Sequence, residues 1–198
     1  MKSNKIVIAS RNKDKIIEIK EILTGLDFEF VPALDFLDLP DVIEDKETIA
    51  GNAIKKAMET AQNTGMLALA DDTGFFVDAL DGKPGVYAAR YAGEVCTYKD
   101  NREKMLKEMQ GQNNRKAQFK TVVAFASPTG LIGTAEGKVE GTITLQDEGE
   151  GGFGYDPIFR ADETGKTFGE MNNADKNKIS HRGRAFRNII PILGKIKF

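Results

Sequence analysis

The chain has no tryptophan, one cysteine (Cys96) and one histidine (His181). A single cysteine excludes an intramolecular disulfide and suits a reducing compartment, so a cytoplasmic setting is expected. There is no apolar run of about 18 residues or more, which excludes a membrane-spanning helix. The apolar stretch after Met-Lys-Ser-Asn-Lys is too brief for a signal peptide. Charge of either sign is not in excess: 28 basic against 30 acidic residues gives −2. No field of the whole protein therefore favours nucleic acid, and any affinity for phosphate must be local. Repeats, low-complexity linkers and a coiled-coil seam are all absent, and the turn Ser10-x-Asn12-x-x-Lys15 lacks the glycines and the Gly-Lys-Ser/Thr ending of a Walker A loop.

What remains is a chain of 198 residues, 40% hydrophobic and 29% charged, which is enough for one sizeable core. One domain over 1–198 is expected, folded at most as two lobes. Ile6-Val7-Ile8-Ala9 reads as a buried strand and Ile16, Ile19, Ile22 and Leu23 as the apolar face of a helix that Gly25 stops. Phe28 to Val31 reads as a second strand. Thr48 is the N-cap of a helix carrying Ile49, Ala53, Ala57 and Ala61 on one face. Met66 to Ala70 reads as a short strand that ends at Asp71-Asp72, turns at Thr73-Gly74 and gives way to another strand over Phe75 to Leu80. A helix follows around Lys99 to Met109, long strands over Ala117–Ser127 and Leu131–Leu145, and a last helix from Ser180 with Pro191 inside it. These alternating elements predict an α/β fold, a mixed sheet flanked by helices.

Several segments could carry chemistry. Asp71 and Asp72 offer two carboxylates where open sheets place their sites, and neighbours on a strand point to opposite sides, so one can bind metal or water while the other orients the chain. Ser10-x-Asn12-x-x-Lys15 is a strand-to-helix turn able to cradle phosphate, or an ordinary N-cap with a solvated lysine. Glu44, late in the acidic loop Asp41-x-x-Glu44-Asp45, could be a second metal carboxylate, with Lys56 on the next helix, or simply solvated. In Gly151-Gly152-Phe153-Gly154-Tyr155-Asp156-Pro157, the glycines allow a flat ligand to approach and Phe153 to stack on a base; the same residues also suit a bend with Phe153 plugging the core. Finally, Ser180-His181-Arg182 puts a cationic pair at a helix N-terminus, where the helix dipole disfavours it unless an anion or polarised carbonyl faces it.

Taken in order, these segments, with Asn52-Ala53 and Pro84-Gly85-Val86-Tyr87-x-Ala89-Arg90-Tyr91, resemble the inosine triphosphate pyrophosphatase family, the house-cleaning XTP/dITP diphosphatases, over nearly the whole chain. The resemblance implies an elongated mixed sheet in two lobes around a nucleotide cleft and a homodimer. It implies Mg²⁺-dependent hydrolysis of ITP, dITP or XTP to the monophosphate and pyrophosphate. Carried over by position, Ser10, Asn12, Lys15 and Lys56 would hold the triphosphate. Glu44 and Asp72 would hold Mg²⁺, with Asp72 also the proton acceptor, and Thr73 would lie near the substrate. Phe153, Asp156, Lys176, His181 and Arg182 would form the base pocket, with Gly154 and Tyr155 contributing backbone. Lysine, histidine and arginine donors suit a 6-oxopurine and leave adenine's amino group unmatched. The sequence departs from the family pattern twice. Arg11 stands where Gly is usual, adding a charge to the substrate-binding turn. Gly51 stands where Glu is frequent, leaving Glu44 as the main partner of Asp72. Two other readings are a pyrophosphatase for another modified nucleotide and a nucleotide-binding regulator without turnover, which would not need Asp72.

Overall fold

A computed structural model describes residues 4–196. One sheet contains β1 (Lys5–Ile8), β2 (Glu29–Pro32), β3 (Leu67–Val77), β4 (Pro84–Gly85), β5 (Lys116–Ser127), β6 (Gly130–Ile143) and β7 (Phe159–Ala161). The order is β2-β1-β3-β5-β6-β7, with β4 pairing off β3. β1 is parallel to both β2 and β3, whereas β3–β4 and β6–β7 are antiparallel. The helices are α1 (Lys13–Ile22), α2 (Ile49–Thr64), α3 (Tyr98–Glu108), α4 (Asn173–Ile179) and α5 (His181–Leu193). The predicted mixed α/β class is therefore the observed one. No helix among the described residues is long and apolar enough to cross a membrane.

The described residues divide into two compact units, 4–72, 121–137 and 182–196 in the first, and 73–120 and 138–181 in the second. In the first unit, strand alternation sorts the core into two faces. Ile6 and Ile8 of β1, Leu69 of β3, and Val123 and Phe125 of β5 pack with Ile16 and Ile19 of α1, with Leu23 at its C-terminal end, and with Phe186, Ile189 and Leu193 of α5. The intervening residues Val7, Ala68, Ala70, Val122, Ala124 and Ala126 face Ala53, Ala57 and Ala61 of α2. Helices on both faces bury residues 6–8 of β1, 68–70 of β3 and 122–126 of β5, which is why these segments read as unbroken apolar runs. The predicted cap of α2 forms, with Thr48 Oγ1 accepting from Gly51 N, and α1 is capped by Asn12, whose Oδ1 accepts from Asp14 N and Lys15 N. In the second unit Phe75, Phe119, Phe159 and Phe168 form an aromatic core, with Phe75 and Phe119 stacked at 4.2 Å.

Two expectations need correction. The chain does not turn at Gly74: β3 runs through Asp71-Asp72-Thr73-Gly74 as one strand of 11 residues, absorbing what reads as a second strand. Gly74 serves close approach instead, since a Cβ there would lie 2.5 Å from the Phe76 ring. The aspartates still lie at a carboxyl edge, that of β1, whose last partner on β3 is Leu69. Secondly, α4 has no counterpart among the predicted helices, because its buried residues are polar: Lys176 and Asn177.

Candidate functional site

In the first unit the turn after β1 delivers Ser10, Arg11 and Asn12 to the start of α1. Ser10 Oγ accepts from Asn12 N at 3.2 Å, and the Asn12 amide oxygen caps the helix. One turn into α1, Lys15 directs its ammonium to Asp71 Oδ2 at 3.3 Å. Burial pushes the Lys15 ammonium below its usual range, with the pull of Asp71 opposing.

Asp71 and Asp72 diverge as strand alternation requires. Asp71 meets Lys15 of α1 and Arg182 of α5, whose Nε lies 3.3 Å from Asp71 Oδ2. Burial raises its pKa, but the charges of Lys15, Arg182 and Lys56 overcome this and hold the carboxyl well below the usual range. Asp72 points to α2, where Asn52 Nδ2 donates to Oδ2 at 3.2 Å and Lys56 Nζ lies 3.4 Å from Oδ1. Its carboxyl is pushed up, because burial outweighs the pull of Lys56 and Lys15. A carboxylate made more basic in this way is a better proton acceptor.

Lys56 binds this group together. Its ammonium donates to Glu44 Oε1 and to the carbonyl oxygen of Asp71, each at 2.6 Å, besides its contact with Asp72. Burial alone would lower the Lys56 pKa, but Asp72, Glu44 and Asp71 raise it. Glu44 is lowered: burial pushes it up, and the charge and hydrogen bond of Lys56 more than offset that. Three oxygens thus already surround one positive charge. Glu44 and Asp72 are the donor type that suits a hard divalent cation retaining several waters. No group of three or more His, Cys, Asp or Glu suited to a metal occurs among the described residues.

Arg182 and Arg11 are placed differently from the other predicted residues. The guanidinium of Arg182 is engaged in the first unit, with Nη1 2.6 Å from Glu18 Oε2 and Nε on Asp71. The anion that a cationic helix start requires is therefore supplied by the protein itself. Arg11 donates to the Leu39 carbonyl at 2.5 Å and pairs with Asp41.

The second unit gathers Phe153, Asp156, Lys176 and His181. Asp156 Oδ2 accepts from Phe153 N at 2.7 Å and from Lys176 Nζ at 2.5 Å. The Lys176 ammonium lies 4.8 Å from the centroid of the half-buried Phe153 ring, a cation–π contact. Gly152 has φ 72, and a Cβ there would strike the Asp156 carboxylate at 2.2 Å, so this bend requires glycine. The Gly154 carbonyl accepts from Arg102 Nη1 at 3.0 Å. Tyr155 belongs to the core, its hydroxyl donating to the Ala88 carbonyl at 2.9 Å. His181 is buried and stacked on Phe119 at 4.5 Å. Thr73, the first residue of this unit, is half-buried on β3.

Glu18, Asn52 and Arg102 make contacts that sequence reasoning does not assign. A signal exists for Asn52. With Lys56 and Thr60 it forms a buried polar row at i, i+4, i+8 beside the alanine stripe of α2. Glu18 is likewise a carboxylate on the buried side of α1, three residues after Lys15.

Residues 6–192 match the model of the Ham1 family. The chain is 47% identical to the dITP/XTP pyrophosphatase of Desulforamulus reducens over 97% of its own length and 96% of the relative's. It is 46% identical to the dITP/XTP pyrophosphatase of Geobacter sulfurreducens, covering 96% of each. Among solved structures it is similar to a HAM1 protein from Coxiella burnetii, with TM-score 0.87 and 36% identity over 97% of this chain and 99% of that one. The Staphylococcus aureus Ham1 protein gives TM-score 0.86 and 37% identity over 98% and 100%. With a family model spanning almost the whole chain and relatives this similar at full length, the chain belongs to the Ham1 family.

Proposed function

We propose that the protein hydrolyses non-canonical purine nucleoside triphosphates, dITP, XTP and ITP, to the monophosphate and pyrophosphate, removing deaminated purines from the nucleotide pool. The observation that carries this reading is the cluster around Asp72: a buried carboxylate of raised basicity, between Asn52 and Lys56, with Glu44 and Lys15 close by. The relatives' names support the substrate class.

In this reading Lys15 and Lys56 face the phosphates with Ser10 and Asn12, and Asp72 accepts the proton of the water that attacks the α-phosphorus. Glu44 and Asp72 would hold Mg²⁺, which when bound supplies positive charge against the phosphates and the leaving pyrophosphate. Asn52 fixes the rotamer of Asp72, so that the remaining lone pairs of its carboxylate are aimed before substrate arrives. Asp71, braced by Arg182, keeps Lys15 charged despite its burial. Phe153 offers a face on which a purine stacks, and Lys176 and His181 offer donors to its 6-oxo group, with Thr73 near the substrate. Adenine's 6-amino group would leave those donors unpaired, and an unmade hydrogen bond in a dry pocket is what rejects a competitor strongly. We place the enzyme in the cytoplasm as a homodimer, in keeping with its single cysteine; light scattering of the purified protein checks the dimer.

Phosphorus NMR of the products tests the reaction type. ITP with Mg²⁺ is expected to give IMP and pyrophosphate. Formation of IDP and orthophosphate would replace this reading with a γ-phosphatase.

A further inference from the structure

Arg11 is charged and sits in the turn that opens α1, and its guanidinium reaches another segment. Nη2 donates to the Leu39 carbonyl at 2.5 Å, and Nε is paired with the Asp41 carboxylate. Both partners lie in the loop between β2 and α2, the same loop that carries Glu44. Much of that loop is weakly packed: Leu37 is 96% exposed and Ile43 is 72% exposed. Its apolar anchors are Phe36 and Leu39, which join the alanine-lined core. The end nearest α2 is tied by three contacts: Glu44 to Lys56, Asp45 to Lys55 at 2.9 Å, and Lys46 N to Asn52 Oδ1 at 2.9 Å. The contacts of Arg11 tie the other end.

We infer that Arg11 is a positioning residue, a latch that fastens Leu39–Asp41 to the phosphate turn and so sets where Glu44 stands for the cation. The inference rests on the proposed Glu44–Asp72 metal site. The pairing with Asp41 alone would be a weak anchor, since Arg11 and Asp41 are 42% and 80% exposed. The hydrogen bond to a backbone carbonyl adds what a surface ion pair lacks, because it fixes the main chain itself and is charge-assisted. The planar fork of a guanidinium reaches a carbonyl and a carboxylate together, which a lysine's single ammonium does less well.

The test compares Arg11→Gly, Arg11→Lys and Asp41→Ala with the wild type, in two measurements. The first is hydrogen exchange of the metal-free protein. Arg11→Gly is expected to speed exchange over residues 36–46 several-fold while leaving β5 unchanged, with Asp41→Ala and Arg11→Lys showing the same effect more weakly. The second is kinetic: the Mg²⁺ concentration for half-maximal rate at saturating ITP should rise about three- to tenfold in Arg11→Gly, with KM for ITP at saturating Mg²⁺ unchanged. Unchanged exchange together with a raised KM would overturn the latch and make Arg11 a substrate ligand. Should the enzyme prove indifferent to divalent cations, the metal reading fails, while the exchange experiment still decides whether Arg11 orders the loop.

Discussion

Replacing Arg182 by alanine should destabilise the protein before it alters anything about the nucleotide. The side chain is 3% exposed, and its two carboxylate partners, Glu18 and Asp71, are 5% and 1% exposed. Removing the guanidinium leaves one buried carboxylate without its 2.6 Å partner and the other with Lys15 as its nearest remaining cation. Breaking a buried pair from one side costs about 3–5 kcal/mol. At roughly 2–4 °C per kcal/mol for a chain of this size, the thermal midpoint should fall by about 6–20 °C. Glu18→Ala should relieve part of the penalty, so the double variant is expected to be more stable than the sum of the single changes by about 1–3 kcal/mol. The pH dependence has a definite sign. Asp71 is held below its unfolded pKa, so its contribution is complete above the ordinary carboxylate range and is lost as pH falls through the folded value. Arg182→Ala lets the folded pKa rise, so the stability gap to wild type should narrow as pH drops below about 4. Urea midpoints across pH, for wild type, both single variants and the double, measure all of this. A variant as stable as wild type, changed only in its preference for ITP over ATP, would refute the brace and return Arg182 to the base pocket.

Asp72→Asn should lower kcat by at least ~10²-fold with the fold intact, since the amide is nearly isosteric, removes a buried charge and cannot take the proton; steady-state rates and circular dichroism check both halves. Lys15→Ala should weaken turnover roughly tenfold or more for every base alike if Lys15 faces the phosphates as proposed, the part that all substrates share; a changed base preference with unchanged triphosphate affinity would contradict that role. Lys176→Met should reduce the ITP/ATP ratio of kcat/KM by roughly ten- to a hundredfold, the worth of one charged hydrogen bond, and a constant ratio would remove Lys176 from base recognition.

The elements with strong periodicity are legible in the sequence. β1 and β5 lie where unbroken apolar runs put them, buried from both faces, and α1 and α2 lie where apolar spacing marks one buried face. β3 reads as two strands because Asp-Asp-Thr-Gly has the composition of a turn, while the glycine there makes room for Phe76. Glycine inside a helix costs about 1 kcal/mol relative to alanine, and Gly51 has a local reason to be there. It falls in the first turn of α2, donates to the Thr48 cap, and has no room for a Cβ, which would lie 2.9 Å from Lys46. The carboxylates and lysines of the first unit are visible as chemistry-bearing residue types at strand and helix ends. The partnership of Arg182 with Glu18 is not, since 164 positions separate them and neither position carries a local pattern that names the other. A stacked His181 is equally hidden, because its packing against Phe119 depends on which strand the chain brings next to it.

The central claim is that a 6-oxopurine triphosphate is the substrate, and kcat/KM across ITP, XTP, dITP, GTP, ATP and TTP at saturating Mg²⁺ tests it most directly. ITP, XTP and dITP are expected to exceed ATP by at least about a hundredfold, because adenine's 6-amino group would leave the donors proposed for Lys176 and His181 unpaired. Equal values for ITP and ATP, or a preference for TTP, would contradict the account.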